Sequence, residues 1–303
     1  MKALIVSNCN GAAYYGFMKH FFPDWDVRSV VHSQAKIWIS DKNEPFLNYL
    51  KEAEIFVGDP LFLRNEASDL FSSSIEAFNL PGFVYDGSRP DCFWIPSVLS
   101  PTGAGYIHSK IVASAFCLGK TVDETEALFS KEHFRNLGYF DAHSRSLQKL
   151  FKTYDRYSGM DIRPLFEVWW KFGDFMYTPN HPRSFVLFDL ISNSLSSRGY
   201  LNKFSEESIA SARRDFDDTL GRGMIWPVYP EIAREIGVIS PTTYWRESID
   251  KGSGKKFLLR AMIERSFKTY EATTGFREAA EKSLGGPNSI EAYGGETSNL
   301  AGI

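Results

Sequence analysis

The run KALIVS at positions 2–7 is apolar almost throughout and predicts a short buried strand beginning at the second residue. A polar turn, SNCNG, follows, and residues 12–22 then read as an amphipathic helix, so the chain opens on a strand, loop and helix unit. The pattern repeats: 26–31 as a second strand, FLNYLKEA as a helix, EIFVG as a third strand and LPGFVYD as a fourth. Connections this short suit parallel crossovers, and the expected architecture is an α/β, open and mostly parallel sheet of flavodoxin-like or Rossmann-like type over 1–105.

From Tyr106 the period changes to that of helices. Ile107, Ile111, Val112, Ala115 and Phe116 mark one face, and 123–130 and 142–157 continue in the same style. The segment from Pro182 to about Leu195 is apolar on nearly every side and predicts a helix running through a core. Helices are expected again at about 205–219 and 255–273. The mainly helical region spans 106–284 and is expected to complete the site, while 285–303, rich in glycine and without periodicity, reads as a flexible tail.

Composition narrows the possibilities. The 303 residues are 43% hydrophobic and 23% charged, the mixture of a folded globular chain of one or two domains. A net charge of −3 offers no global field for nucleic acid or anionic lipid, so any bound anion must be held locally. Three cysteines without a CxxC pair argue against a disulfide framework and a zinc knuckle. The N-terminal apolar run is shorter than a signal-peptide core and no stretch is long enough to span a membrane, so a cytoplasmic protein is expected.

The chemistry-bearing motifs lie at strand ends and turns. Cys9 in SNCNG ends the first strand where a helix begins, a position whose partial positive charge favours thiolate. Backbone N–H groups near Asn10 and Gly11 are candidate oxyanion donors. The other reading of Cys9 is a small buried hydrophobe. In YTPNHPRS, His181 or Asn180 falls at the start of a helix, where the dipole keeps imidazole neutral and fit to accept a proton; a well-capped turn is the plain alternative. His32 follows the second strand and is a further candidate. SPTGAGYIHSK offers His108 and Lys110 beside a glycine-rich helix start, but it lacks the third glycine of a dinucleotide fingerprint. KGSGKK fails as a phosphate loop, since Lys256 stands where Ser or Thr is required. No HExxH and no clustered ligand spacing appears, so no metal is expected. Asp59, Asp86 and Asp174 are single carboxylates that could orient a histidine.

The hydrophobic strand running into SNCNG, the later GYIHSKIVASAFCLGKTVDE and the apolar YTPNHPRS segment together resemble the WcbI family of capsular polysaccharide biosynthesis enzymes over roughly 1–200. Ser7 and Asn10 depart from the glycine and glutamine common there. The resemblance implies a cytosolic enzyme that binds coenzyme A or acetyl-CoA and transfers an acetyl group to a sugar hydroxyl of a capsule precursor. It also implies an SGNH-like site layout, with Cys9 in the nucleophile position and His181 in the Asn-His-Pro motif. For the coenzyme phosphates the candidates are Lys36, Arg64, Arg89, His108 and Lys110. Asn10, Gly11, His32 and Asn180 are the candidate oxyanion and substrate contacts. Two other functions fit the same residues: an SGNH-like acyl esterase, and a non-catalytic coenzyme A or carbohydrate-binding protein. Covalent acyl-cysteine and direct attack by the sugar both remain open.

Overall fold

In a computed structural model, which describes residues 1–72 and 74–296, the chain divides into two compact units. One unit comprises Met1–Val84, Gln148–Trp169 and Asn180–Leu220; the other comprises Tyr85–Leu147, Trp170–Pro179 and the chain from Gly221. Both are therefore interleaved in sequence, unlike the contiguous division at residue 105 that the change of period suggested.

The first unit is built on an all-parallel four-stranded sheet, β1 (Lys2–Ser7), β2 (Asp26–Val31), β3 (Ile55–Gly58) and β4 (Glu76–Asn79), in the order β2-β1-β3-β4. KALIVS is central because both of its faces find apolar partners, and Ala3, Leu4, Ile5 and Val6 are fully buried. DVRSVV takes the edge, burying Val27 and leaving Arg28 and Ser29 exposed. One face of β1 receives α1 (Gly11–Phe21), which buries Ala13, Tyr14, Phe17, Met18 and Phe21. Leu4 and Val6 join the cluster with Phe46, Tyr49 and Leu50 of α3 (Glu44–Glu52) and Phe62 of α4 (Pro60–Asn65), and α2 (His32–Ser40) contributes Ala35. Gly58 ends β3 at φ +142, where a Cβ would lie 1.9 Å from the Val6 carbonyl oxygen, so only glycine permits the two strands to close here.

The fourth strand is Glu76–Asn79 rather than LPGFVYD. Pro81 has no N–H to give a ladder, and the Tyr85 N–H is bonded to the Pro179 carbonyl at 2.8 Å, outside the sheet. The apolar helix expected near 182–195 is present as Ser184–Ser196, with Val186, Leu187, Phe188, Leu190, Ile191 and Leu195 buried. Its one acid, Asp189, accepts from Trp169 Nε1 at 2.8 Å and from Arg213 Nη2 at 2.7 Å.

The second unit pairs Cys92–Trp94 with Ile107–Ser109 as an antiparallel ladder. Ile107 therefore belongs to a strand, and the helix begins only at Lys110, capped by the Ser109 hydroxyl accepting from the Val112 N–H at 3.1 Å. Trp226, Tyr229, Trp245, Phe134 and Met262 are buried together in one of its cores. Residues 287–293, expected within a flexible tail, form the helix Pro287–Tyr293 with Ser289, Ile290 and Ala292 buried; 297–303 lie outside the described residues. Arg89 is buried in this unit: its guanidinium pairs with Asp174 through two bonds (3.0 and 2.7 Å) and donates to the carbonyls of Trp226 and Met176 at 2.7 Å each.

Candidate functional site

The strand order reverses direction between β1 and β3, and open α/β sheets take their ligands outside the carboxyl ends of the strands at such a point. Register shows what converges there. Ser7 lies beside Val31 and Val6 beside Gly58, so Asn8, His32 and Asp59 leave three adjacent strands at the same level.

The Asn8 side chain shapes the first loop by accepting the Asn10 N–H at 3.0 Å, while the Asn8 carbonyl accepts the Gly11 N–H at 3.2 Å. Both backbone donors expected to hold an oxyanion, those of Asn10 and Gly11, are thus occupied by the turn itself. A different donor is left open: the Asn10 side chain is fully buried, makes no cap bond, and its Nδ2 has no partner among the described residues. One helical turn on, the buried Tyr14 hydroxyl is also unpartnered. Buried polar groups usually hydrogen-bond, and these two, at the start of one helix, have donor capacity that the described residues do not use.

Cys9 immediately precedes this helix start, its Sγ 3.9 Å from Asn10 Oδ1. Burial pushes its thiol up to about 11, against the smaller lowering influence of backbone N–H groups at Cys9 and Asn10. The thiolate expected from the helix start is overruled by desolvation, and the thiol is protonated at neutral pH. Burial likewise raises the Tyr14 phenol, with Cys9 as the second cause. Because only the thiolate reacts with alkylating agents, iodoacetamide at pH 7.5 is expected to modify Cys9 about two orders of magnitude more slowly than an ordinary exposed cysteine. The rate should rise about tenfold per pH unit above that. Peptide mapping by mass spectrometry reads this directly, and labelling at the rate of a free thiol contradicts the buried state.

His32 opens α2 and is held by Asp59 across the end of β1, with Nδ1 3.0 Å from Oδ2. The other carboxylate oxygen accepts the Leu61 N–H at 2.9 Å as the cap of α4, so Asp59 is fixed at both oxygens. With a carboxylate at Nδ1, the proton belongs there and Nε2 is the acceptor. Nε2 is shielded from solvent and has no partner among the described residues. This aspartate-held histidine is the pairing that sequence spacing could not reveal, since 27 positions and a crossover separate its members.

His181 lies in the short strand His181–Pro182, and the cap of the following helix is Arg183, so the histidine is not at the helix start expected for it. It is nevertheless neutral: burial pushes it down to about 4, and its Nδ1 is buried without a partner among the described residues. Asn180 precedes it, partly buried. Cys9, Asn10, Gly11, His32, Asn180 and His181 all belong to the first unit.

The expected phosphate ligands separate. Lys36 is paired with Glu66 at 2.6 Å. Arg64 lines an open groove of about 540 Å³ in the first unit. Arg89, His108 and Lys110 belong to the second unit, and each is structural. Arg89 has every donor group engaged in the buried Asp174 pair and its surrounding carbonyls. His108 is fully buried, with Nε2 3.0 Å from the Val98 carbonyl and Nδ1 3.1 Å from the Tyr270 hydroxyl, and desolvation lowers it to about 4. Lys110 donates to the Pro90 carbonyl at 2.7 Å and lies over the rings of Tyr139 and Tyr293. Among the described residues no group of three or more His, Cys, Asp or Glu is placed to hold a metal ion, and no helix is long and apolar enough to cross a membrane.

Fold and strand-end residues together define the first unit as a doubly wound α/β architecture, one in which the carboxyl edge of the sheet is the usual place for a ligand. The family described as "Polysaccharide biosynthesis enzyme WcbI" matches residues 2–200. The chain belongs to this family of polysaccharide biosynthesis enzymes. A solved structure of WcbI, described as the native protein without a disulfide bond between coenzyme A and one of its cysteines, superimposes with a TM-score of 0.67. The match covers 97% of this chain and 98% of that one at 12% identity, a likeness of fold. Comparison with curated proteins gives no match.

Proposed function

We propose that the protein is a coenzyme A-dependent O-acetyltransferase that moves an acetyl group from the thioester to a sugar hydroxyl of a capsular polysaccharide precursor. The reading is supported by family membership, by the association of coenzyme A with a cysteine in the WcbI of similar fold, and by four shielded polar atoms without partners in one unit: Asn10 Nδ2, Tyr14 Oη, His32 Nε2 and His181 Nδ1. The observation that carries the mechanism is the Asp59–His32 pair at the strand ends.

His32 Nε2 takes the proton of the sugar hydroxyl as its oxygen attacks the thioester carbonyl. Asp59 steadies the imidazolium that forms. Asn10 Nδ2 donates to the oxyanion of the tetrahedral intermediate. The C–S bond then breaks, and His32 returns its proton to the departing thiolate. Acetyl ester and free coenzyme thiol are the products. Transfer is direct, since a thiol pushed up to about 11 is a poor nucleophile at neutral pH. Cys9 instead lines the path of the thioester sulfur. His181, neutral throughout the working range, offers Nδ1 to an acceptor hydroxyl.

Calorimetric titration with coenzyme A and with acetyl-CoA tests the reading. Saturable binding of both is expected, and Cys9→Ala is expected to keep acetyl transfer within about tenfold of wild type. Absence of binding at millimolar coenzyme removes the function, while an acetylated Cys9 peptide at steady state replaces the direct route by a covalent one.

A further inference from the structure

The groove that contains Arg64 is made entirely within the first unit, from α4, the chain leading into β4, the residue that ends β4, and Arg156 and Tyr157. It follows directly from the site, because Pro60 of its wall succeeds Asp59, which holds His32. Its volume of about 540 Å³ is in the range of small-molecule sites.

Charge in the groove is left over by the neighbouring pairs. Three of the acids near its two arginines are taken elsewhere, Glu66 by Lys36 at 2.6 Å, Asp155 by Arg163 at 2.7 Å and Asp59 by His32 at 3.0 Å, while Asp69 accepts from the Ser68 hydroxyl at 3.2 Å and pairs with neither arginine. Arg64 and Arg156 have no ion-pair partner among the described residues, and both are exposed. Two unpaired guanidinium groups facing one cleft suit a phosphate, which they can hold by charge-assisted, bidentate bonds.

The rest of the lining is not that of a bare anion site. Phe71 and the half-buried Tyr157 bring rings to the wall, the Arg156 guanidinium lying over one side of the Tyr157 ring at 5.1 Å, and Asn79 presents a buried Oδ1 without a partner among the described residues. An unpaired acceptor beside aromatic faces suits a planar heterocycle carrying an amino group. We propose that this groove seats a 3′-phosphorylated adenosine, with Arg64 and Arg156 on the phosphate, Tyr157 against the base and Asn79 Oδ1 accepting from its amino group. The proposal rests on the coenzyme A reading above and assigns the end of the donor remote from the thioester.

The full chain and its Arg64→Gln/Arg156→Gln double variant are titrated with coenzyme A, 3′-dephospho-coenzyme A and adenosine 3′,5′-bisphosphate. Wild type should bind coenzyme A at least tenfold more tightly than the dephospho form, and the bisphosphate should bind alone and compete. In the double variant that preference should vanish while affinity for the dephospho form stays within threefold. Equal wild-type affinity for the two coenzymes, or a preference that survives in the double variant, overturns the groove assignment and leaves the acetyltransferase reading standing. Binding of the bisphosphate without any binding of coenzyme A supports the groove and overturns the acetyltransferase reading. No binding of any of the three overturns both.

Discussion

Arg89→Met is expected to destabilise the protein by about 3–5 kcal/mol, because it removes the cationic partner of a deeply buried carboxylate, Asp174. The side chains of the pair are only 1% and 2% exposed, so solvent cannot take over from the lost partner. The damage extends beyond the ion pair. Arg89 also donates to the carbonyls of Trp226 and Met176, which join the Asp174 segment to the second half of its unit. Methionine fills much of the same volume, so the loss measures hydrogen bonds and charge rather than a cavity. Asp174→Asn should also destabilise, since an amide offers the guanidinium one acceptor in place of two charged oxygens. Chemical denaturation followed by circular dichroism reads the effect, together with coenzyme A titration at low temperature on the fraction that remains folded. A residue that held the coenzyme phosphates would give the opposite result: unchanged unfolding and weakened binding.

The contrast between Arg89 and Arg64 shows where sequence reasoning ran out. Both fall in or near predicted loops or helix starts, and both looked like cations available to a phosphate. Only the fold shows that one is enclosed by a carboxylate 85 positions away while Glu66, the acid nearest the other, is taken by Lys36. His108 and Lys110 belong with Arg89: a glycine-rich turn before a helix suggested an anion site, but both ring nitrogens of His108 and the Lys110 ammonium are engaged by rings, a hydroxyl and carbonyls of the same unit. Local pattern succeeded where local forces decide. KALIVS, DVRSVV and the helix at 142–157 were legible because an apolar run or a 3.6-residue period is written in neighbouring residues. LPGFVYD misled because its apolar content is that of a strand while Pro81 and Gly82 deny it a ladder. The site was half legible. Strand-end positions marked out Cys9 and His32, but the state of the thiol depends on burial, and the partner of the histidine lies beyond a crossover.

His32→Gln is expected to lower the rate of acetyl transfer by about 10²–10⁴-fold, the usual contribution of a positioned general base, with little change in coenzyme A affinity. Glutamine keeps a hydrogen-bonding group near Asp59 but cannot carry the proton of the acceptor hydroxyl. Asp59 acts through His32, as a positioning residue, and its replacement has a separate signature. In Asp59→Asn the amide can still cap α4, because its Oδ1 can accept the Leu61 N–H that now ends on the carboxylate. Its other group becomes an N–H donor facing Nδ1, so the imidazole is pushed to the opposite tautomer and Nε2, carrying the proton, can no longer accept one. Turnover should therefore fall as far as in His32→Gln, while the thermal midpoint stays near that of wild type, and the two losses should not add in the double variant. The histidine ring nitrogens, followed by NMR in labelled protein, should show the proton moving from Nδ1 to Nε2. A purely structural role for Asp59 predicts a lower melting temperature with the tautomer unchanged. Additive rate losses would mean that the two residues act separately, and the proton would then have to go to another acceptor, such as His181 Nδ1, which is buried in the same unit without a partner among the described residues.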